Sequence, residues 1–150
     1  MQAPEQITPK GLSDYLEVLT RAVFQSGLSW RVVEAKWQGF REAFYGFDAE
    51  RVARLTEEEV NRLAGDRRII RNRRKIEATV ENAAVMQELA RNHGGFDRYL
   101  QSLGDFEGKV HGLRKDFRFI GDFGAYYFLY VVGDEVPPHE EWLASRRQSA

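Results

Sequence analysis

The stretch Phe117-Arg118-Phe119-Ile120-Gly121-Asp122-Phe123-Gly124-Ala125-Tyr126-Tyr127-Phe128-Leu129-Tyr130-Val131-Val132-Gly133 decides how the chain reads. Its first half is a turn with glycines at 121 and 124, residues that permit positive φ and a close approach of backbone to another surface. Ala125, Phe128, Leu129 and Val132 then recur at i, i+3, i+4 and i+7, one apolar stripe on a helix of about two and a half turns. A bare turn at a helix N-terminus leaves amide N–H groups pointing outward, where an anion such as phosphate binds. The competing reading is a helix–helix corner whose glycines serve packing alone.

Outward from this stretch, nearly every segment reads helical. Thr8 and Pro9 suit a helix start, and Leu12, Tyr15, Leu16, Leu19 and Val23 trace its inner face to a stop near Gly27. Ser29 caps a second helix whose stripe is Val33, Trp37, Phe40 and Phe44. Gly46-Phe47-Asp48 breaks it, and Asp48 caps a short turn to Leu55. Thr56 with Glu59 forms a capping box for a helix carrying Val60 and Leu63. A long helix runs from about Asn72 to Asn92 with Ile76, Val80, Ala83 and Leu89 inward, closed by Gly94-Gly95. Phe96, Tyr99, Leu100 and Leu103 make a short helix, and the segment to Leu113 reads as loop. Val136-Pro137-Pro138 ends the helix of the opening stretch, with a last turn or two over 139–145. No segment alternates with period two. The expected fold is all-α: one globular domain over residues 8–145 with about seven or eight short helices, a loose arm at 1–7 and a tail at 146–150.

Composition narrows the function. The 150 residues carry a net charge of −1 and no cysteine, so a disulfide framework and a cysteine metal site are excluded. No run of eighteen apolar residues exists, and a soluble, cytoplasmic, monomeric protein is expected. A nucleic-acid surface must therefore come from local clustering. One cluster stands out: residues 67–75 hold six cations, Arg67, Arg68, Arg71, Arg73, Arg74 and Lys75, around the apolar pair Ile69-Ile70. The pair pins the connector to the core. Where the connector becomes a helix, backbone N–H groups and the side chains of Arg71, Arg73, Arg74 and Lys75 can converge on one phosphate. A solvated face is the alternative.

Four blocks, in order, carry a resemblance: Gln25-Ser26-Gly27-Leu28-Ser29-Trp30, Phe47-Asp48, Ile69-Ile70-Arg71-Asn72-Arg73-Arg74-Lys75-Ile76 with Asn82-Ala83, and Phe117-Arg118-Phe119-Ile120-Gly121 with Tyr126. Over roughly residues 12–133 the chain resembles the DNA-3-methyladenine glycosylase I family of helix-hairpin-helix DNA glycosylases. The resemblance implies a repair enzyme that flips an alkylated purine of the 3-methyladenine type out of double-stranded DNA and hydrolyses its N-glycosyl bond. It implies that Phe119, Gly121 and Gly124 form the hairpin that holds a backbone phosphate. It implies a base pocket at Trp30, Gln25, Ala22 and Tyr126, with Trp30 stacking on the purine. The family's pocket acid stands eight residues before that tryptophan, a position held here by Ala22. Its zinc is bound through Cys and His, so no zinc is expected in this chain. Asp122 in the hairpin points away from the phosphate or helps to hold a monovalent cation.

Other aromatics that could wall a pocket are Trp37, Tyr127 and Tyr130, although at helical spacing an aromatic more often belongs to the core. In the wider superfamily a catalytic Asp follows the hairpin helix, which draws attention to Asp134, Glu135, His139, Glu140 and Glu141. His139 with Glu140 is the expected general acid/base pair; a solvated surface segment is the alternative. Three readings stay open: an N-glycosylase, a non-catalytic DNA-binding relative, and a helical interaction module.

Overall fold

The structure, a computed structural model, describes residues 3–148, with side chains through residue 145. Residues 1, 2, 149 and 150, the outer ends of the expected arm and tail, lie outside the described residues. The architecture is all-α, with no strand among the described residues. In chain order the helices are α1 (Leu12–Gln25), α2 (Trp30–Ala35), α3 (Trp37–Ala43), α4 (Ala49–Ala53), α5 (Glu57–Leu63), α6 (Arg73–His93), α7 (Phe96–Ser102), α8 (Phe106–Asp116), α9 (Asp122–Val131) and α10 (His139–Gln148).

Two differences raise the expected seven or eight helices to ten α-helices among the described residues. The Val33–Phe44 stripe is buried as expected, but Lys36 (φ −102°, ψ 4°) breaks it into α2 and α3. The segment expected as loop is α8. Asp105 caps it by accepting the Gly108 N–H at 2.9 Å, and Val110 and Leu113 are buried. Gly108 and Gly112 look like loop signals but serve contact, because a Cβ at either would collide with Leu103. The first helix begins at Leu12, not at Thr8-Pro9. Proline restricts its predecessor to extended backbone, and the chain just before it is tied to the end of α9. There Ile7 donates its N–H to the Val131 carbonyl at 2.7 Å, and Gln6 Nε2 donates to the Tyr130 carbonyl at 2.9 Å.

Leu16, Leu19, Val23 and Phe24 of α1 are buried, with Phe24 and Phe40 in edge contact at 4.7 Å and Trp37 stacked on Phe47 at 5.4 Å. The capping box of α5 forms as read. Arg51 first, and the Thr56 backbone second, hold the Glu59 carboxyl down to about 2. The long α6 packs on α1, α4, α5 and α7, while α9 packs on α1 and α8. The end of α1 thereby meets the start of α6 on one side and the start of α9 on the other.

The connector with the cations is seated by α3. Ile69 is buried, and a Cβ at Gly39 would run into the Arg68 carbonyl. Gly39→Ala is therefore expected to destabilise the protein by about 1–3 kcal/mol, the usual cost of overpacking, even though alanine favours helix over glycine. Urea unfolding checks this; a variant as stable as the parent would show that the connector yields freely.

Candidate functional site

α1 ends at Gln25, and Gly27 (φ +75°) reverses the chain toward α2. Carbonyls at a helix C-terminus need donors and favour a cation. Lys75 supplies both: its Nζ donates to the Ser26 carbonyl at 2.5 Å and to the Phe24 carbonyl at 3.2 Å. The lysine is 5% exposed, and burial lowers its pKa. This corrects the expectation that Lys75 faces phosphate. It is an internal strut that leaves the first turn of α6 one lysine side chain away from Ser26.

The approach to the hairpin is clamped from α6. Asn82, buried, accepts the Arg118 N–H at 2.9 Å and donates its Nδ2 to the Arg118 carbonyl at 3.2 Å. Phe117 and Ile120 are buried to either side. The left-handed residue of the turn is Phe119 (φ +59°), not a glycine as expected. A phenylalanine held there is strained and persists because its flanks are fixed. Gly121 (φ −102°) is the N-cap of α9. Gly124 lies inside α9, where a Cβ would sit 3.6 Å from that of Ala22; its smallness lets α9 approach α1. Arg114, in the last turn of α8, binds Asp122 at 2.8 Å, so the cation beside that carboxylate is a guanidinium.

Between the end of α1 and this turn lies a recess of about 310 Å³, lined by Ala22, Gln25, Ser26 and Gly27 on one side and by Phe119, Gly121, Phe123, Gly124 and Tyr127 on the other, with Asp122 at its wall. That volume is at the small end of ligand sites and suits one flat ring system. Burial raises the Tyr127 phenol above its ordinary pKa, against the opposing pull of Arg21 and the hydrogen bond of Gln25, so the hydroxyl is neutral. Arg21 lies behind it, 4.8 Å over the Trp37 ring and 3.5 Å from Glu34. A second recess of about 280 Å³ lies away from the hairpin, and the carboxylates in its wall are already paired, Glu59 with Arg51 and Asp66 with Arg68.

The expected site residues divide. Ala22, Gln25, Phe119, Gly121 and Gly124 converge on the recess. Tyr126, expected in its wall, points the other way: its hydroxyl donates to the Pro137 carbonyl at 2.5 Å and its ring stacks on Trp142 at 4.5 Å. Tyr127, one residue on, takes the place in the wall. Trp30 is half-exposed on the first residue of α2 and is not part of the wall. Trp37 is core, its Nε1 donating to Glu17 at 2.7 Å. His139 and Glu140 are exposed at the start of α10, where the imidazole lies 5.5 Å from the Tyr126 ring, and neither lines the recess. Asp134 is a strut to Lys109 at 2.8 Å. Arg71, Arg73 and Arg74 are exposed; Arg73 is 3.8 Å from Glu77, and Arg71 and Arg74 form no ion pair among the described residues. Phe123, which lines the recess, and Arg114, which holds Asp122 of its wall, are residues that the sequence did not single out, although both flank the hairpin it marked.

The all-helical body with a turn between α8 and α9 beside this recess is the fold of the DNA glycosylases it superposes on. Within it, the chain belongs to the methyladenine glycosylase family, whose sequence profile matches residues 9–116. It is 37% identical over 86 residues to DNA-3-methyladenine glycosylase 1 of Escherichia coli K12, an alignment that spans 57% of this chain and 46% of that protein. It is 26% identical over 130 residues to the DNA-3-methyladenine glycosylase of Haemophilus influenzae, across 73% of this chain and 70% of that one. The crystal structure of a 3-methyladenine DNA glycosylase I superposes with a TM-score of 0.75 at 27% identity, covering 85% of this chain and 81% of the other.

Proposed function

We propose that the protein is a DNA N-glycosylase that takes an alkylated purine of the 3-methyladenine type, everted from double-stranded DNA, into the recess between α1 and the hairpin, working as a monomer in the cytoplasm. The observation that carries this reading is the recess itself, of a size that suits a nucleobase and walled on one side by α1 residues within the stretch that matches the methyladenine glycosylase family. The amide N–H groups at the start of α9 have no side-chain cap and suit a backbone phosphate, with Arg114 beside them. Phe119 and Tyr127 offer aromatic surface to the base, and Gln25 offers an amide to its edge. A ring-alkylated purine carries positive charge and departs readily, so the protein's work is eversion, positioning and stabilisation of an oxocarbenium-like transition state. Asp122 is the one carboxylate in the wall among the described residues, and a negative charge there favours such a cation. The expected acid/base pair His139 and Glu140 has no part in this scheme.

A second reading, a DNA-binding relative without turnover, is favoured by Ala22, which puts a methyl group where the family resemblance places an acid. Chromatographic detection of free base from methylated duplex DNA separates the two: released 3-methyladenine supports the first, and tight binding without release supports the second.

The exposed arginines at the start of α6 set the salt dependence of either reading. Replacing Arg71, Arg73 and Arg74 together by Ala is expected to lower the slope of log affinity against log salt by about 2 to 3 and to weaken all duplexes alike. Titrations at several salt concentrations check this, and an unchanged slope removes the cluster from the DNA face.

A further inference from the structure

We propose that Arg21 is a positioning residue that turns the hydroxyl of Tyr127 into the recess as a hydrogen-bond donor to the edge of the base; this rests on the reading of the recess as a base pocket. Tyr127 lines the recess from α9, and Arg21 stands behind that wall on α1, one residue before Ala22. The guanidinium lies 4.8 Å over the ring of Trp37, a core residue, and 3.5 Å from Glu34. Its Nε is buried and has no hydrogen-bond partner among the described residues. A covered cation with an unpaired donor opposes folding, and an apolar side chain of similar volume would pack there at less cost. Stability alone therefore does not account for a guanidinium at this place.

What the guanidinium serves is the Tyr127 phenol. Arg21 and Gln25 both direct donors at the phenol oxygen, and Arg21 adds its charge. An arginine offers donors and no acceptor, so it can engage only a lone pair of that oxygen. The O–H is left to point elsewhere, and no acceptor receives it among the described residues. Its open side is the recess. Burial keeps the phenol protonated, and a positive charge beside the oxygen makes the O–H a stronger donor. Purine edges carry nitrogen and oxygen acceptors, but an alkylated purine accepts poorly while it is cationic. When the bond from C1′ to the purine breaks, its electron pair returns to the ring and cancels that charge. Water adds to the sugar carbon and gives its proton to solvent, and no proton leaves Tyr127. The acceptor strengthens as the bond breaks, so the hydrogen bond from Tyr127 tightens toward the transition state, which is the condition for faster release.

The test uses the full chain and methylated duplex DNA. Tyr127→Phe removes only the hydroxyl and is expected to slow single-turnover release about tenfold, with duplex affinity within about twofold of the parent. Arg21→Gln is expected to slow release by a similar factor, and by less than about twofold when it is added to Tyr127→Phe, because it acts through the hydroxyl. An arginine that merely supports the wall would slow release by the same factor in both backgrounds. That result, or release by Tyr127→Phe at the parental rate, overturns the proposal. If the parent releases no base, equilibrium binding of free 3-methyladenine is read in its place. Binding about tenfold weaker in each single variant, and no weaker in the double variant, keeps the Arg21–Tyr127 device and loses the excision reading. Binding that neither variant changes overturns the device, and a parent that neither releases nor binds the base loses both.

Discussion

Ala22→Leu is expected to slow base release at least a hundredfold while duplex affinity stays within about twofold, a barrier change of about 2.7 kcal/mol. The methyl of Ala22 is buried in the recess wall, facing Gly124 across a gap that a second methyl would close. Three further carbons have nowhere to go except into a space of about 310 Å³ that the base must occupy. Overpacking at this contact costs about 1–3 kcal/mol of stability, so a melting curve belongs beside the kinetics. The arginines proposed to meet phosphate, Arg71, Arg73 and Arg74, lie in the connector and the first turn of α6 and are untouched. Single-turnover release and fluorescence anisotropy check the two halves of the prediction. Release at the parental rate would mean that the base goes elsewhere.

The second large effect is on stability. Lys75→Ala removes the donor for two carbonyls at the end of α1 and empties a buried site. Leaving the carbonyl of buried Phe24 and that of Ser26 without their lysine donor, together with the lost packing, is expected to cost about 2–4 kcal/mol, read as a lower urea midpoint. The salt slope of DNA binding is expected to stay at the parental value, unlike that of the arginine triple variant. A variant of parental stability with a reduced slope would return Lys75 to the DNA face.

The contrast between Lys75 and its neighbours shows what a sequence carries and what it hides. The buried face of Val33–Phe44 was legible from its periodicity, whereas the break at Lys36 that divides it between α2 and α3 was not. Lys75 was assigned by its company in a charge run, yet it shares a face with the buried Thr79, Asn82 and Met86 at spacings of four, three and four. That register was the available signal. Tyr127 likewise stands three and four residues after Gly124 and Phe123, on the recess side, and Tyr126 is turned about 100° from it. Gly108 and Gly112 concealed α8 because a glycine that permits contact and one that permits a turn look alike. The place of His139 and Glu140 depends on how α10 leaves Pro137-Pro138, a tertiary matter that no local pattern encodes. The hairpin was legible as a whole, while its strained residue, Phe119, was not.

The measurement that bears most directly on the account is an amide chemical-shift titration of the whole protein with free 3-methyladenine. Saturable shifts centred on Ala22, Gln25, Phe119, Gly124 and Tyr127 are expected, with the second recess, beside Glu59 and Asp66, silent. Shifts centred on that second recess, or none at concentrations where the base is released from DNA, would contradict it.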